Sequence, residues 1–178
     1  MKEPQISESL LLERARLGES GAFEQLVKRH QSRVYSVALR LLGNRQEAED
    51  VLQETFLAFY RNLERFQGRS QISTYLFRLA TNFSLMKLRR GRHRGRQPEN
   101  DLAQAEEQPD LSPSPLDSLL GDELKKLLDR QLQKLSEQDR AVVVLRDIEG
   151  LEGSQVARIL GISLPAMKAS LHRSREFL

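Results

Sequence analysis

The sequence predicts an all-α protein made of two small helical domains joined by a flexible linker, and three observations carry that expectation. Apolar residues recur at helical spacing through most of the chain. No stretch alternates apolar and polar residues between turn signals, as a strand would. One segment, from about residue 91 to 115, loses its large apolar residues and gathers Pro98, Pro109, Pro113 and Pro115. Such a composition buries too little apolar surface to offset the entropy of ordering. The domains are therefore expected at residues 1–92 and 116–178, with residues 93–115 as an acidic linker.

The first helix is expected from about residue 7 to 17, stopped by Gly18. In the second, near residues 22–42, Phe23, Leu26, Val27, Val34, Val37, Ala38 and Leu41 share one face, and Gly43 ends it. Asn44 as N-cap with Glu47 at the third position forms a capping box, which starts a third helix reaching about residue 64. The loop "RFQGRSQI" leads to a fourth helix over about 73–90. There Tyr75, Leu76, Leu79, Ala80, Phe83 and Met86 make an apolar face that Phe77 and Leu88 widen. The remaining strip carries Thr74, Arg78, Thr81, Asn82, Leu85 and Arg89. Either solvent or a ligand can meet such a strip, and Tyr75 fits both a core position and a platform on which a base stacks.

Helical pattern resumes at Leu116 and runs to about residue 135, after which Ser136 caps a helix expected to continue to Gly150. Two short helices then flank Gly161, which permits the backbone to reverse. Ser163 can cap the second, Pro165 falls in its first turn where a missing N–H is harmless, and Ile162 with Met167 can form a hydrophobic staple. This is the helix-turn-helix arrangement. On the last helix Leu164, Met167, Leu171, Ser174 and Leu178 gather on one side; Pro165, Ala169, His172 and Arg173 lie opposite, with Lys168 on the flank. A DNA major groove, an ordinary helical hairpin and a protein-binding surface all suit that pattern.

Composition narrows the function. The 178 residues contain no cysteine, and His30, His93 and His172 are scattered without ligand spacing, so disulfides and thiolate metal sites are excluded. No P-loop, metal cluster or nucleophile with a supporting histidine occurs, so neither a cofactor nor an enzyme is expected. The first residues fit neither a secretory signal nor a membrane span, which points to a soluble cytoplasmic protein. Net charge is only +3, but it is segregated: residues 87–96 hold Lys and Arg without an acid, and residues 99–110 hold acids without a base. The basic run is either a solvated face or a phosphate-binding patch.

The order of these features resembles the extracytoplasmic-function (ECF) sigma factors, small bacterial sigma subunits carrying only regions two and four. The likeness rests on "AEDVLQETFL", on "STYLFRLATNFSLMKLRR" and on "LRDIEGLEGSQVARILGISLPAMKASLHRSR", in that order and with a tether in the matching gap. The resemblance implies that Asp50, Gln53 and Glu54 dock on the clamp helices of the largest subunit of core RNA polymerase. It implies that the fourth helix and its preceding loop recognise the minus-ten element through Tyr75, Arg78 and Asn82, with Lys87, Arg89 and Arg90 on the phosphate backbone. It further implies that Lys168, Ala169, His172 and Arg173 read the minus-thirty-five element, that promoter DNA is a partner, and that an anti-sigma factor silences the protein. Tyr75 stands where many relatives have Trp, Glu152 replaces the usual Ser, and Ser170 occupies a position often held by Arg.

A scaffold is part of that expectation. Residues 97–115 span about 65 Å fully extended but about 25 Å relaxed. Two DNA sites two helical turns apart are separated by roughly 70 Å. Polymerase would hold the domains apart and raise the effective concentration of the second contact. The competing readings are a stand-alone helix-turn-helix repressor, which leaves the Asn82 strip and the Asp50 face unassigned, and a polymerase-binding adaptor without DNA readout.

Overall fold

The computed structural model describes residues 6–93 and 121–178. Several of its helices start where side-chain oxygens accept the first free N–H groups. Ser7 Oγ accepts from Leu10 N–H at 3.3 Å to open α1 (Glu8–Arg16). Helix α2 (Ser20–Leu42) follows, and Asn44 Oδ1 accepts from Glu47 N–H at 2.9 Å to open α3 (Arg45–Arg61). Residues 62–71 turn before α4 (Ile72–His93), so α3 ends earlier and α4 runs longer at both ends than the sequence suggests.

Helices α2, α3 and α4 pack on one another, and α1 lies along α2. Leu26, Val34, Val37, Leu41, Val51, Phe59, Leu76, Phe77 and Ala80 lose essentially all exposure in the seam. Each large side chain removed from water there contributes about 1.5–3 kcal/mol before the cost of ordering. Phe59 meets the rings of Phe23, Phe66 and Tyr75, which joins the turn before α4 to the core. The Arg16 guanidinium on α1 donates to the Leu63 carbonyl at 3.1 Å and to that of Phe66, fixing the start of the same turn.

The second domain contains α5 (Asp122–Lys134), α6 (Glu137–Val143), α7 (Gly153–Leu160) and α8 (Leu164–Phe177). Ser136 caps α6 as expected, accepting from Asp139 N–H at 3.2 Å. The single helix expected up to Gly150 is instead interrupted. Val144–Ile148 widens into a π-helical turn, closed by a bond from Glu149 N–H to the Val144 carbonyl at 2.9 Å. Between α7 and α8, Gly161 holds φ +65°, a left-handed conformation that costs other residues about 1–2 kcal/mol. Ser163 Oγ accepts from Ala166 N–H at 3.2 Å, and a Cβ on Gly153 would sit 2.6 Å from Met167 Cε, so the two helices of the motif touch closely. The described residues contain no strand, in keeping with the all-α expectation. The expected linker at 93–115 lies outside the described residues except for the backbone of its first member, as do residues 116–120.

The two domains are in contact through α2. Arg140 is buried, and its guanidinium donates to the Leu41 carbonyl at 2.5 Å, to Leu132 and Gln133 at 3.0 Å, and to Leu135 at 3.2 Å. One cation thus satisfies carbonyls at the C-terminal ends of both α2 and α5. Burial pulls its pKa down, partly opposed by Glu137. Gln133 Nε2 donates to the Arg40 carbonyl at 2.8 Å, and Arg40 pairs with Asp129 at 3.4 Å. Further along α2, Arg33 pairs with Glu149 at 2.9 Å while its guanidinium lies 4.9 Å from the centre of the Phe77 ring.

Candidate nucleic-acid interface

The sequence-derived site residues lie on α3, α4 and α8, most of them on outward faces, with Tyr75 and Lys87 partly buried. On α3, the i, i+3, i+4 spacing brings Asp50, Gln53 and Glu54 to one outward face. The two acids are about half exposed. Lys87 on α4 reaches across to them, with Nζ 3.1 Å from Asp50 and 3.7 Å from Glu54, and is itself only 21% exposed. This lysine therefore lies in the α3–α4 seam, whereas Arg89 and Arg90 beyond it are exposed. Leu57, four residues after Gln53 and exposed, extends the α3 face. The sequence reading missed it, although the next helical step from Gln53 points to it.

On α4, Arg78 and Asn82 are exposed on successive turns. Arg78 lies over Tyr75, 5.0 Å from the ring centre, and Tyr75 is half-buried among Phe59 and Phe66. The phenol thus serves the core and shows only part of its surface. Thr74 and Thr81, expected on the polar strip, are buried, and Met86, expected in the core, is 37% exposed. A threonine is small and carries a methyl group, so it enters a close helix seam that its polarity alone would not suggest, and the Thr81 hydroxyl is buried there without a hydrogen-bond partner.

The loop before α4 and the first turn of α4 form one wall of a polar cleft of about 470 Å³, lined there by Arg69 from the loop and by Ser73 and Thr74 from the helix. Arg33 on α2, with Glu149 and Gln155 from the second domain, forms the other side. The pocket stands where the two domains meet, and the acids on its far side, Glu149 and Glu152, are accompanied there by Arg33, which pairs with Glu149.

On α8, Lys168, Ala169, His172 and Arg173 are all exposed, while Met167, Ser170, Leu171 and Ser174 are buried. Leu164 and Leu178, expected in the core, are 40% and 45% exposed, because they lie at the two ends of the helix. Glu152 precedes α7, and its N–H donates to Gln155 Oε1 at 2.9 Å, so the helix start keeps the back half of a capping box. Arg175 is committed elsewhere: two bonds of 2.8 and 2.6 Å join it to Asp147. No cluster suited to a metal occurs among the described residues, and no described helix is long and apolar enough to cross a membrane.

Comparison with known proteins places these surfaces in context. Residues 26–94 match the Sigma-70 region 2 family, and residues 125–178 match Sigma-70, region 4. The chain is 30% identical over 182 residues to an ECF RNA polymerase sigma-E factor of Haemophilus influenzae, covering 98% of this chain and 94% of that protein. Its structure is similar to that of CnrH, solved in complex with the cytosolic domain of CnrY, with a TM-score of 0.66 and 25% identity across 96% of this chain and 93% of the other. The fold is also similar to that of the sigma factor RpoE of Bartonella quintana, solved with the anti-sigma factor NepR. There the TM-score is 0.66 at 21% identity, over 87% of this chain and 92% of that one.

Proposed function

The chain belongs to the ECF sigma factors of RNA polymerase, and from that membership we propose how its own exposed faces divide the work of transcription initiation. The α3 face of Asp50, Gln53 and Glu54, continued by Leu57, docks on the clamp helices of the largest polymerase subunit. Acids and an amide meet basic groups of the partner, and the leucine supplies apolar contact at the centre. Lys87 orients the two acids for that contact and shares them with the partner. The domain boundaries carried by this reading are residues 1–92 for core binding and the minus-ten element, 93–115 for the tether, and 116–178 for the minus-thirty-five element.

Tyr75, Arg78 and Asn82, with the loop before α4, capture an unpaired minus-ten base. Arg89 and Arg90 hold phosphates, which makes binding fall with salt by a log-log slope of about 0.9 per duplex phosphate neutralised. On α8, Lys168, Ala169, His172 and Arg173 enter the major groove of the upstream element. Strand opening draws on the binding energy of captured bases, so the protein acts without catalysis of its own and the chemistry belongs to polymerase. It works in the cytoplasm, and an anti-sigma factor that covers the same faces restrains it.

The observation that supports this reading most is that three helices otherwise committed to packing each keep a polar face outward, and that these faces lie on both domains. A stand-alone repressor uses only one of them. Run-off transcription with purified core polymerase and fragmented genomic DNA tests the proposal: transcript starts sharing an upstream pair of motifs are expected, and starts without any shared pair reject it. The combined Asp50→Asn and Glu54→Gln variant keeps the shape of the α3 face and removes its charge. Its affinity for core polymerase is expected to fall about tenfold or more; wild-type affinity would remove these residues from the docking surface.

A further inference from the structure

One acid outside α8 bears directly on its outward face. Asp139, in the first turn of α6, accepts from Ser136 Oγ through Oδ2 at 2.8 Å. Its other oxygen, Oδ1, accepts from Ser170 Oγ and lies 3.5 Å from an Arg173 terminal nitrogen. Ser170 is fully buried on α8. The Asp139 side chain is 23% exposed and that of Arg173 is 64% exposed. The carboxylate is thus seated in the seam between α6 and α8, and the guanidinium extends from it into solvent. Burial would raise the Asp139 carboxyl, but the hydrogen bonds from Ser170 and Ser136 and the charge of Arg173 outweigh it and hold its pKa below the ordinary value.

A guanidinium is a rigid fork of five N–H donors. A carboxylate that engages one terminal nitrogen leaves the remaining donors directed outward. An arginine side chain otherwise carries considerable rotamer entropy, part of which must be lost when it docks on a base. Holding it in place beforehand removes part of that cost. Ser170 matters here because it is small enough to sit beneath the pair, and because its single hydroxyl leaves Oδ1 with capacity for a second donor.

We infer that Asp139 is a positioning residue for Arg173: it aims the guanidinium at a base edge and so sets discrimination at one base pair without itself touching DNA. This rests on the proposed role of Arg173 in upstream-element recognition. The outward fork suits a guanine best, whose O6 and N7 accept from it together. The acid also has a cost, since a carboxylate near the groove repels phosphates. Its removal therefore acts in opposite directions on specific and non-specific binding, whereas simple loosening of the domain would weaken both.

The test uses holoenzyme reconstituted from core polymerase and the full chain, on a promoter recovered by the run-off experiment and on its single-base variants in the upstream element. Asp139→Asn keeps the size and can still bond the two serines, but it removes the charge facing Arg173. It is expected to lower discrimination at one base pair roughly five- to tenfold, to leave or slightly raise affinity for unrelated duplex DNA, and to change nothing further in an Arg173→Ala background. Discrimination equal to wild type in Asp139→Asn, with a clear loss in Arg173→Ala, overturns the inference and leaves the reading of Arg173 standing. Equal losses in both backgrounds, or a parallel fall in non-specific affinity, also overturn it by assigning Asp139 a purely structural role. Arg173→Ala behaving as wild type on every variant removes the underlying reading instead.

Discussion

Arg140 shows how much a single residue can hold in this molecule. Its guanidinium is shared by Leu41 on α2 and by Leu132, Gln133 and Leu135 at the end of α5. All are main-chain carbonyls, so their demand for a donor persists whatever side chain replaces the arginine. Arg140→Met retains most of the apolar stem but takes a donor from each of those carbonyls, of which Leu132 keeps the Leu135 N–H at 3.1 Å, and it is expected to lower unfolding free energy by about 3 kcal/mol. Arg140→Lys, with three donors on one nitrogen, should fall between the two. Urea titrations followed by circular dichroism measure both changes; a methionine variant as stable as wild type would show that water replaces the guanidinium without loss. Nothing in the sequence marked this residue, because its partners are backbone atoms on two other helices, and periodicity registers only that position 140 turns inward or outward.

At the scale of elements, what the sequence made legible were boundaries set by local chemistry. Asn44, Ser136 and Ser163 cap the helices expected of them, since a side chain bonding a backbone N–H three positions on involves no distant partner. Helix phase was harder to read. Val142, Val143, Val144 and Leu145 are all buried, so the apolar run gives no phase from which the π turn at Val144–Ile148 could be detected. Thr74 and Thr81 were placed on the wrong side of α4 because residue type outweighed the space available in the seam. The outward positions on α8 were legible because its apolar stripe is narrow and its cap fixes the register. The turn that precedes α8 allows a clean test. A Cβ at Gly161 would meet nothing within 4 Å, so Gly161→Ala isolates the left-handed backbone conformation. A loss of about 1 kcal/mol is expected, with Gly161→Asn recovering part of it because asparagine tolerates that region better. Thermal melts of the full chain read the difference, and an alanine variant equal to wild type would show that the turn readily adopts another conformation.

At the scale of the whole molecule, the contact between domains sets a geometric problem for the function. A compact chain of this length has a radius of gyration of about 16 Å, whereas two promoter boxes two helical turns apart lie roughly 70 Å from each other. On the proposed division of the two boxes between the domains, the contacts along α2 separate before both elements are engaged together. Separation has a second consequence, since it carries Glu149 and Glu152 away from the cleft beside the loop proposed to capture the minus-ten base. While the domains are closed, the second domain walls that cleft on one side, and Glu152 adds an acid there that Arg33 does not pair with. The Arg33–Glu149 pair is the part of the contact most open to manipulation, because Glu149 is only 3% exposed and Arg33 is 33% exposed. Arg33→Glu alone, or Glu149→Arg alone, sets like charges against each other where water screens them poorly. Either is expected to raise the radius of gyration of the free chain by at least about 3 Å over the compact value, measured by small-angle X-ray scattering, and Glu149→Arg, which leaves Arg33 beside the loop, to strengthen binding to a single-stranded minus-ten oligonucleotide. The double exchange restores an opposite-charge pair and should return both readings toward wild type. That reversal distinguishes a specific contact from general damage. A double exchange as expanded as either single variant, or a wild-type chain already expanded in solution, would show that this pair does not hold the domains together.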